Sequence, residues 1–183
     1  MDNRKEMAID WFNKGELAML NNNVFESFIY FWIAWIIGCK IYISNNYNDT
    51  FDMTDAVIVE KWAKRKSDYI IRSMKNNKDS LKLLSEMKGS KHNNPIIDTG
   101  NKIYREEFLM IINYIRNDFS MEYFEKSKNE TEIALGFAHL INKIRNNLFH
   151  GGKTYTNKND KQILEAIIPT LRDVLQIQID NQF

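Results

Sequence analysis

The stretch INKIRNNLFHGGK, residues 141–153, sets Arg145, Asn146 and His150 around Phe149 and then closes on a glycine pair. An imidazole titrates near neutral pH and can move protons, while a guanidinium binds and neutralises anionic oxygens. The stretch holds no serine or cysteine nucleophile and no metal-ligand spacing. Residues of these types suit cleavage of an RNA phosphodiester, because RNA carries its own nucleophile, the 2′-hydroxyl. The protein must then supply an acid or base, and a cation for the charge that builds on phosphate. His150 and Arg145 are the candidates for those two roles. Asn146 is the orienting group, since an amide transfers no protons usefully at neutral pH. Asn142 and Lys153 are candidates to bind substrate.

A helix has to position these groups. At about 100° per residue, Phe137, Leu140, Ile141, Ile144 and Leu148 share one apolar face. Leu135, Ala138, Asn142, Arg145, Asn146, Phe149 and His150 fall on the opposite side. A merely solvated face has no need of Leu135, Ala138 and Phe149, so the helix is expected to be covered twice, the second time by another element or another subunit. Asn142, Asn146 and His150 form a ridge at spacing i, i+4, i+8. Arg145 and His150 lie about 140° apart, so a straight helix does not aim them at one point. A glycine just past a helix end closes it in the left-handed conformation, which frees His150 at the final turn to swing toward Arg145. The helix C-terminus favours the protonated imidazole and Arg145 opposes it, a balance suited to acid–base work.

The rest of the chain reads as helices that build a core. Apolar positions Met7, Trp11, Gly15, Ala18 and Met19 predict a first helix over residues 2–20. Asn21, Asn22 and Asn23 break it and can cap the next. The second, over 24–43, is apolar nearly all round, as a central helix should be. A third starts at Thr54 or Asp55 and carries Val57, Ile58, Trp62, Tyr69 and Ile70. A short helix follows at 80–87, then the longest loop signal, with Gly89, Pro95 and Gly100 as breakers. Further helices are expected over 103–118, 129–149 and 160–179, the last kinked or split at Pro169. No internal repeat and no alternating strand pattern is present. The expected fold is all-α, one antiparallel helical bundle of five to six main helices spanning residues 1–183.

Composition agrees with that class. The 183 residues are 44% hydrophobic and 13% aromatic, with 7 Gly, 2 Pro and a formal net charge of +1. Bulk charge therefore names no partner. Cys39 is the single cysteine, which rules out an intrachain disulfide and points to a reducing compartment. The first fifteen residues lack the apolar core of a signal peptide. The apolar run over 27–39 is shorter than a bilayer requires, so it is expected to be a buried helix and the protein cytoplasmic.

Arg-Asn-x3-His-Gly at a helix end, in an all-α chain with the aromatic helix FESFIYFWIAWIIGCKIY upstream, resembles HEPN domains. These are small all-α proteins of toxin–antitoxin, phage-defence and CRISPR-associated ribonucleases. The likeness covers the chain from about Phe25 to the last helix, with Arg145, Asn146 and His150 matching the motif position by position. It implies a metal-independent endoribonuclease that needs no cofactor and leaves a 2′,3′-cyclic phosphate. It also implies a homodimer with both Arg–His pairs facing one cleft, for which Leu135, Ala138 and Phe149 are the candidate contacts. Toxins neutralised by a nucleotidyltransferase antitoxin often carry a tyrosine two residues after the histidine. Gly152 stands there instead, and the nearest tyrosine is Tyr155.

Two other readings stand beside this one. Arg145 can be an ordinary surface arginine and His150 a helix cap with no catalytic task, or the chain can be a non-catalytic HEPN-type module that binds nucleotide, nucleic acid or a protein partner. Between Lys61 and Lys91, ten Lys and Arg face three acids, a surplus that suits an RNA backbone or a solvated helix face. His92 and His139 have no metal-ligand spacing. The Trp and Phe residues of 28–35 are expected in the core.

Overall fold

Few glycines and prolines interrupt this chain, and short polar residues stand where helices must start. Three of those starts are visible as caps. Asn23 accepts from the Glu26 N–H at 3.3 Å, Thr54 from the Val57 N–H at 3.5 Å, and Asn129 from the Glu132 N–H at 3.1 Å. Each satisfies one of the donors that a helix N-terminus leaves without a partner. The computed structural model describes residues 3–47, 53–86, 102–122, 129–150 and 158–183. Among them are eight helices and no strand.

The helices are α1 (Asn3–Leu20), α2 (Val24–Asn46), α3 (Asp55–Arg65), α4 (Ser67–Asn76), α5 (Lys78–Glu86), α6 (Lys102–Arg116), α7 (Glu130–His150) and α8 (Lys158–Asp180). The all-α class is therefore observed, with more helices than the expected five to six. One cause is a break in the expected third helix at Lys66 (φ −118°, ψ 34°). The break lets α3 pack on α2 and α7 while α4 turns to pack on α7 and α8. Tertiary contact thus overrides an unbroken helical pattern. The long loop signal around Gly89, Pro95 and Gly100 lies outside the described residues.

α1 and α2 form an antiparallel hairpin through a turn in which Asn22 takes a left-handed φ of 57°. Their approach is closest at Gly15, where an added Cβ would lie 2.6 Å from the Phe31 ring. The Gly15 carbonyl there accepts from Ser27 Oγ at 3.1 Å. The buried face of α1 is Ala8, Phe12, Gly15 and Ala18, whereas Met7 and Met19 are exposed. The expected stripe was thus displaced at its ends, because Phe12 packs on Phe31 of α2.

α2 is the centre of the molecule. Phe28, Phe31, Trp32, Trp35 and Cys39 are buried, with α1, α3 and α8 packed around them. Trp35 meets Trp62 of α3 edge-on at 5.9 Å, and Trp62 meets Tyr69 of α4 at 6.3 Å. The helix runs for 23 residues and is long and apolar enough to cross a membrane, which the shorter apolar run had not suggested. Its buried side chains are those of a core helix.

α8 lines the other side of the core with Ile163, Leu164, Ile167, Leu171, Val174 and Leu175. It continues through Pro169 as one helix, so of the expected kink or split the split does not occur. Packing against α2, α4 and α5 offsets the hydrogen bond that proline cannot donate. Arg172 ties α8 to α1 through a bidentate pair with Glu16, Nη2 lying 2.7 Å from Oε2. That pairing raises the Arg172 pKa further.

Candidate functional site at the end of α7

α7 begins at its Asn129 cap and buries Ile133, Ala134, Phe137, Leu140, Ile141 and Ile144. Phe137, Leu140, Ile141 and Ile144 are from the apolar stripe expected of it, and Leu148, its last member, is half-buried. The helix packs against α6 and also against α3 and α4, so its second cover comes from its own chain. Ala138 is accordingly fully buried in the core. The expectation that it faces a second subunit is corrected: its side chain is already fully buried within this chain. Leu135 is half-buried and packs on the same core.

Arg145 leaves α7 one turn before the end. Its guanidinium carbon lies 4.3 Å from the centroid of the Trp32 ring and 4.8 Å from that of Phe149. Its Nη1 donates to Asn146 Oδ1 at 2.9 Å. Its Nε is buried without a hydrogen-bond partner among the described residues. A guanidinium over an aromatic face gains from the ring quadrupole, on the order of 0.5–2 kcal/mol as water is excluded. Trp32 is itself 5% exposed, while Phe149 is 53% exposed. The arginine thus links an interior ring to a surface ring.

The structure brings Arg145, Asn146 and Phe149 together, and Asn142 lies half-buried on the same helix. His150 is the last residue of α7 by its backbone. Its side chain, together with Gly151, Gly152 and Lys153, lies outside the described residues. Sequence reasoning missed Trp32 as a partner of Arg145. The aromatic run of α2 is core, as expected, yet Trp32 also meets the one arginine of interest. Nothing in the spacing of Trp32 and Arg145, more than a hundred positions apart, signals that contact.

The basic stretch is largely engaged within the fold. Lys64 pairs with Glu60 at 2.6 Å, Lys75 with Glu130 at 2.7 Å and Lys82 with Asp118 at 3.7 Å. Arg65 lies over Tyr47, and Lys66 over both Tyr42 and Tyr69. Lys61, Arg72 and Lys78 remain exposed. Lys88, Lys91 and His92 lie outside the described residues. Of the other candidate chemistry, His139 faces Glu60 across the α3–α7 contact. The hydrogen bond from Lys64, aided by the charges of Lys64 and His139, holds the Glu60 carboxyl below its usual range. Cys39 is buried, and desolvation pushes its thiol up, so it is a poor nucleophile.

A cavity of about 670 Å³ opens at the α1–α2 turn, lined by residues 21–26 and Lys161. Asn23 is committed there as a helix cap and Lys161 pairs with Glu165 at 3.6 Å. None of the α7 candidates lines it. Compared with protein-family models, with curated proteins and with solved structures, the chain matches none of them.

Proposed function

We propose that this chain is a HEPN-type, metal-independent endoribonuclease that cuts RNA by attack of the 2′-hydroxyl on the adjacent phosphorus. The observation that carries the reading is the Arg145–Asn146 pair, held against Trp32 one turn before the helix ends at His150. Arg145 neutralises the charge that grows on the non-bridging phosphate oxygens. His150 moves the proton, taking it from the 2′-hydroxyl or delivering it to the 5′-oxygen that leaves. Asn146 orients the guanidinium, and Asn142 and Lys153 contact the strand. Two copies of the chain contribute two such pairs to one cleft, and a toxin or phage-defence role under a regulatory partner fits that chemistry. The products are a 2′,3′-cyclic or 3′-phosphate and a free 5′-hydroxyl.

One observation favours a second reading, a non-catalytic module. The Arg145 Nε is buried and its guanidinium already stacks on two rings, as an arginine does when it packs rather than reacts. The two readings separate on mixed RNA, with and without a strong chelator, against the His150→Ala variant. Wild-type cleavage that survives chelation and is reduced about 10²–10⁴-fold in the variant supports the enzyme. Activity lost on chelation, yielding 5′-phosphates, or unchanged in the variant, refutes it. DNA, lacking the 2′-hydroxyl, should stay uncut.

A further inference from the structure

A guanidinium has five N–H donors in one plane, and its use in binding phosphate depends on where that plane points. On a free side chain the plane samples many directions, and ordering it costs rotamer entropy each time substrate binds. Arg145 is not free in this sense. Its guanidinium carbon lies 4.3 Å from the Trp32 centroid and 4.8 Å from that of Phe149. Nη1 is engaged by Asn146 Oδ1 at 2.9 Å. Three neighbours on two helices therefore act on one charged group.

The three are unequal. Phe149 and Asn146 belong to α7 itself and move with Arg145. Trp32 comes from α2, the central helix, and is 5% exposed. Its ring is fixed by the core, and its indole N–H is buried without a hydrogen-bond partner among the described residues. A hydrogen-bonding purpose for this tryptophan is therefore not visible, while its face is used. The Arg145 Nε is likewise buried and without a partner among the described residues. That orientation forgoes a hydrogen bond in order to keep the stack, and an arginine that only needed solvation would turn outward.

Resting on the ribonuclease reading above, we propose that Trp32 is a positioning residue. Its ring is the fixed surface that sets the plane of the Arg145 guanidinium and aims its outer N–H edge at the scissile phosphate. Misplacing a charge-stabilising group by a fraction of its length lowers the rate of the chemical step more than it weakens binding of the strand. The consequence is a change in kcat with little change in KM.

The test compares three variants on one RNA oligonucleotide, at a temperature where circular dichroism shows each to be folded. Trp32→Leu should lower kcat by about 10- to 100-fold with KM within a few-fold of wild type. Trp32→Tyr, which keeps an aromatic face, should recover most of that loss. Trp35→Leu removes the same group from the same core helix, but Trp35 packs on Trp62 and makes no ring contact with Arg145. It should melt at a lower temperature, as Trp32→Leu does, and keep kcat. Equal kcat losses in Trp32→Leu and Trp35→Leu, or no recovery with tyrosine, would overturn the proposal.

A second readout does not depend on cleavage. In ¹⁵N-labelled protein the Arg145 Nε–H should exchange slowly with water in wild type and in Trp35→Leu, and several-fold faster in Trp32→Leu. An unchanged rate in Trp32→Leu overturns the positioning role. Wild-type protein that cuts no RNA sinks the enzyme reading instead, and leaves this exchange measurement to decide whether Trp32 holds the Arg145 guanidinium in place.

Discussion

At the scale of single residues, Arg145 is held at some expense. Its Nε is buried without a partner among the described residues, and a buried polar group left in that state is unfavourable by about 1–3 kcal/mol. Methionine has a similar length and stacks on aromatic rings without that penalty. Arg145→Met is therefore expected to match or exceed wild type in thermal stability while losing RNA cleavage. Calorimetry beside a cleavage assay checks this, and a variant that melts well below wild type would assign Arg145 to the scaffold alone. Glu60 makes a different prediction. Its carboxyl is held below the usual 4.5 by the Lys64 hydrogen bond and by the charges of Lys64 and His139. A depressed carboxylate favours the fold fully above its unfolded pKa, and that contribution is lost as pH falls through the folded value. Glu60→Gln should therefore lower stability modestly near neutrality, where that contribution is fully present, and flatten its decline below about pH 4.5. Denaturant midpoints taken across the acid range would show it, and a parallel decline in both proteins would contradict it.

At the scale of helices, the α1–α2 hairpin depends on a side chain that is absent. A Cβ at Gly15 would lie 2.6 Å from Phe31, whose ring is fully buried and packs on Phe12 at 5.5 Å. Alanine gains roughly 1 kcal/mol of helix propensity over glycine. Forcing a methyl into a packed core costs typically 1–3 kcal/mol. Here the ring has no open side, so overpacking should win. Gly15→Ala is expected to lower the melting temperature by a few degrees for a chain of this size. An equal or higher melting temperature would mean that the hairpin opens to admit the methyl without loss.

At the scale of the whole molecule, the proposed pairing of two copies narrows to the end of α7. Ala138 belongs to the core, and Leu135 is half-buried against it. Phe149, 53% exposed, is the apolar group left to meet a partner. A two-fold contact brings the same residue of both copies together, so a charge placed there is doubled. Phe149→Glu should yield monomers by light scattering and lose cleavage, although Arg145 and His150 are both retained. A wild-type monomer at micromolar concentration that still cuts RNA would refute the paired cleft, as would an active Phe149→Glu dimer.

Local chemistry was legible in the sequence wherever a single helix suffices to express it. Asn23, Thr54 and Asn129 mark helix starts because a short polar side chain reaches its own backbone. The stripe from Phe137 to Ile144 and the all-round apolar face of α2 follow from the helical period, and both are buried. Tertiary packing decided what no period encodes. It divided α3 from α4 at Lys66, carried α8 through Pro169 and took Ala138 into the core between α7 and its neighbours. It also set Trp32 beneath Arg145, and it engaged much of the basic stretch with acids and tyrosine rings. Those outcomes depend on which helices meet, and contacts between distant segments form only after hydrophobic burial has brought them together. The sequence alone therefore determined the helical class, the helix starts and the chemical groups at the end of α7, while the tertiary structure decided where one helix became two and which ring that arginine would rest on.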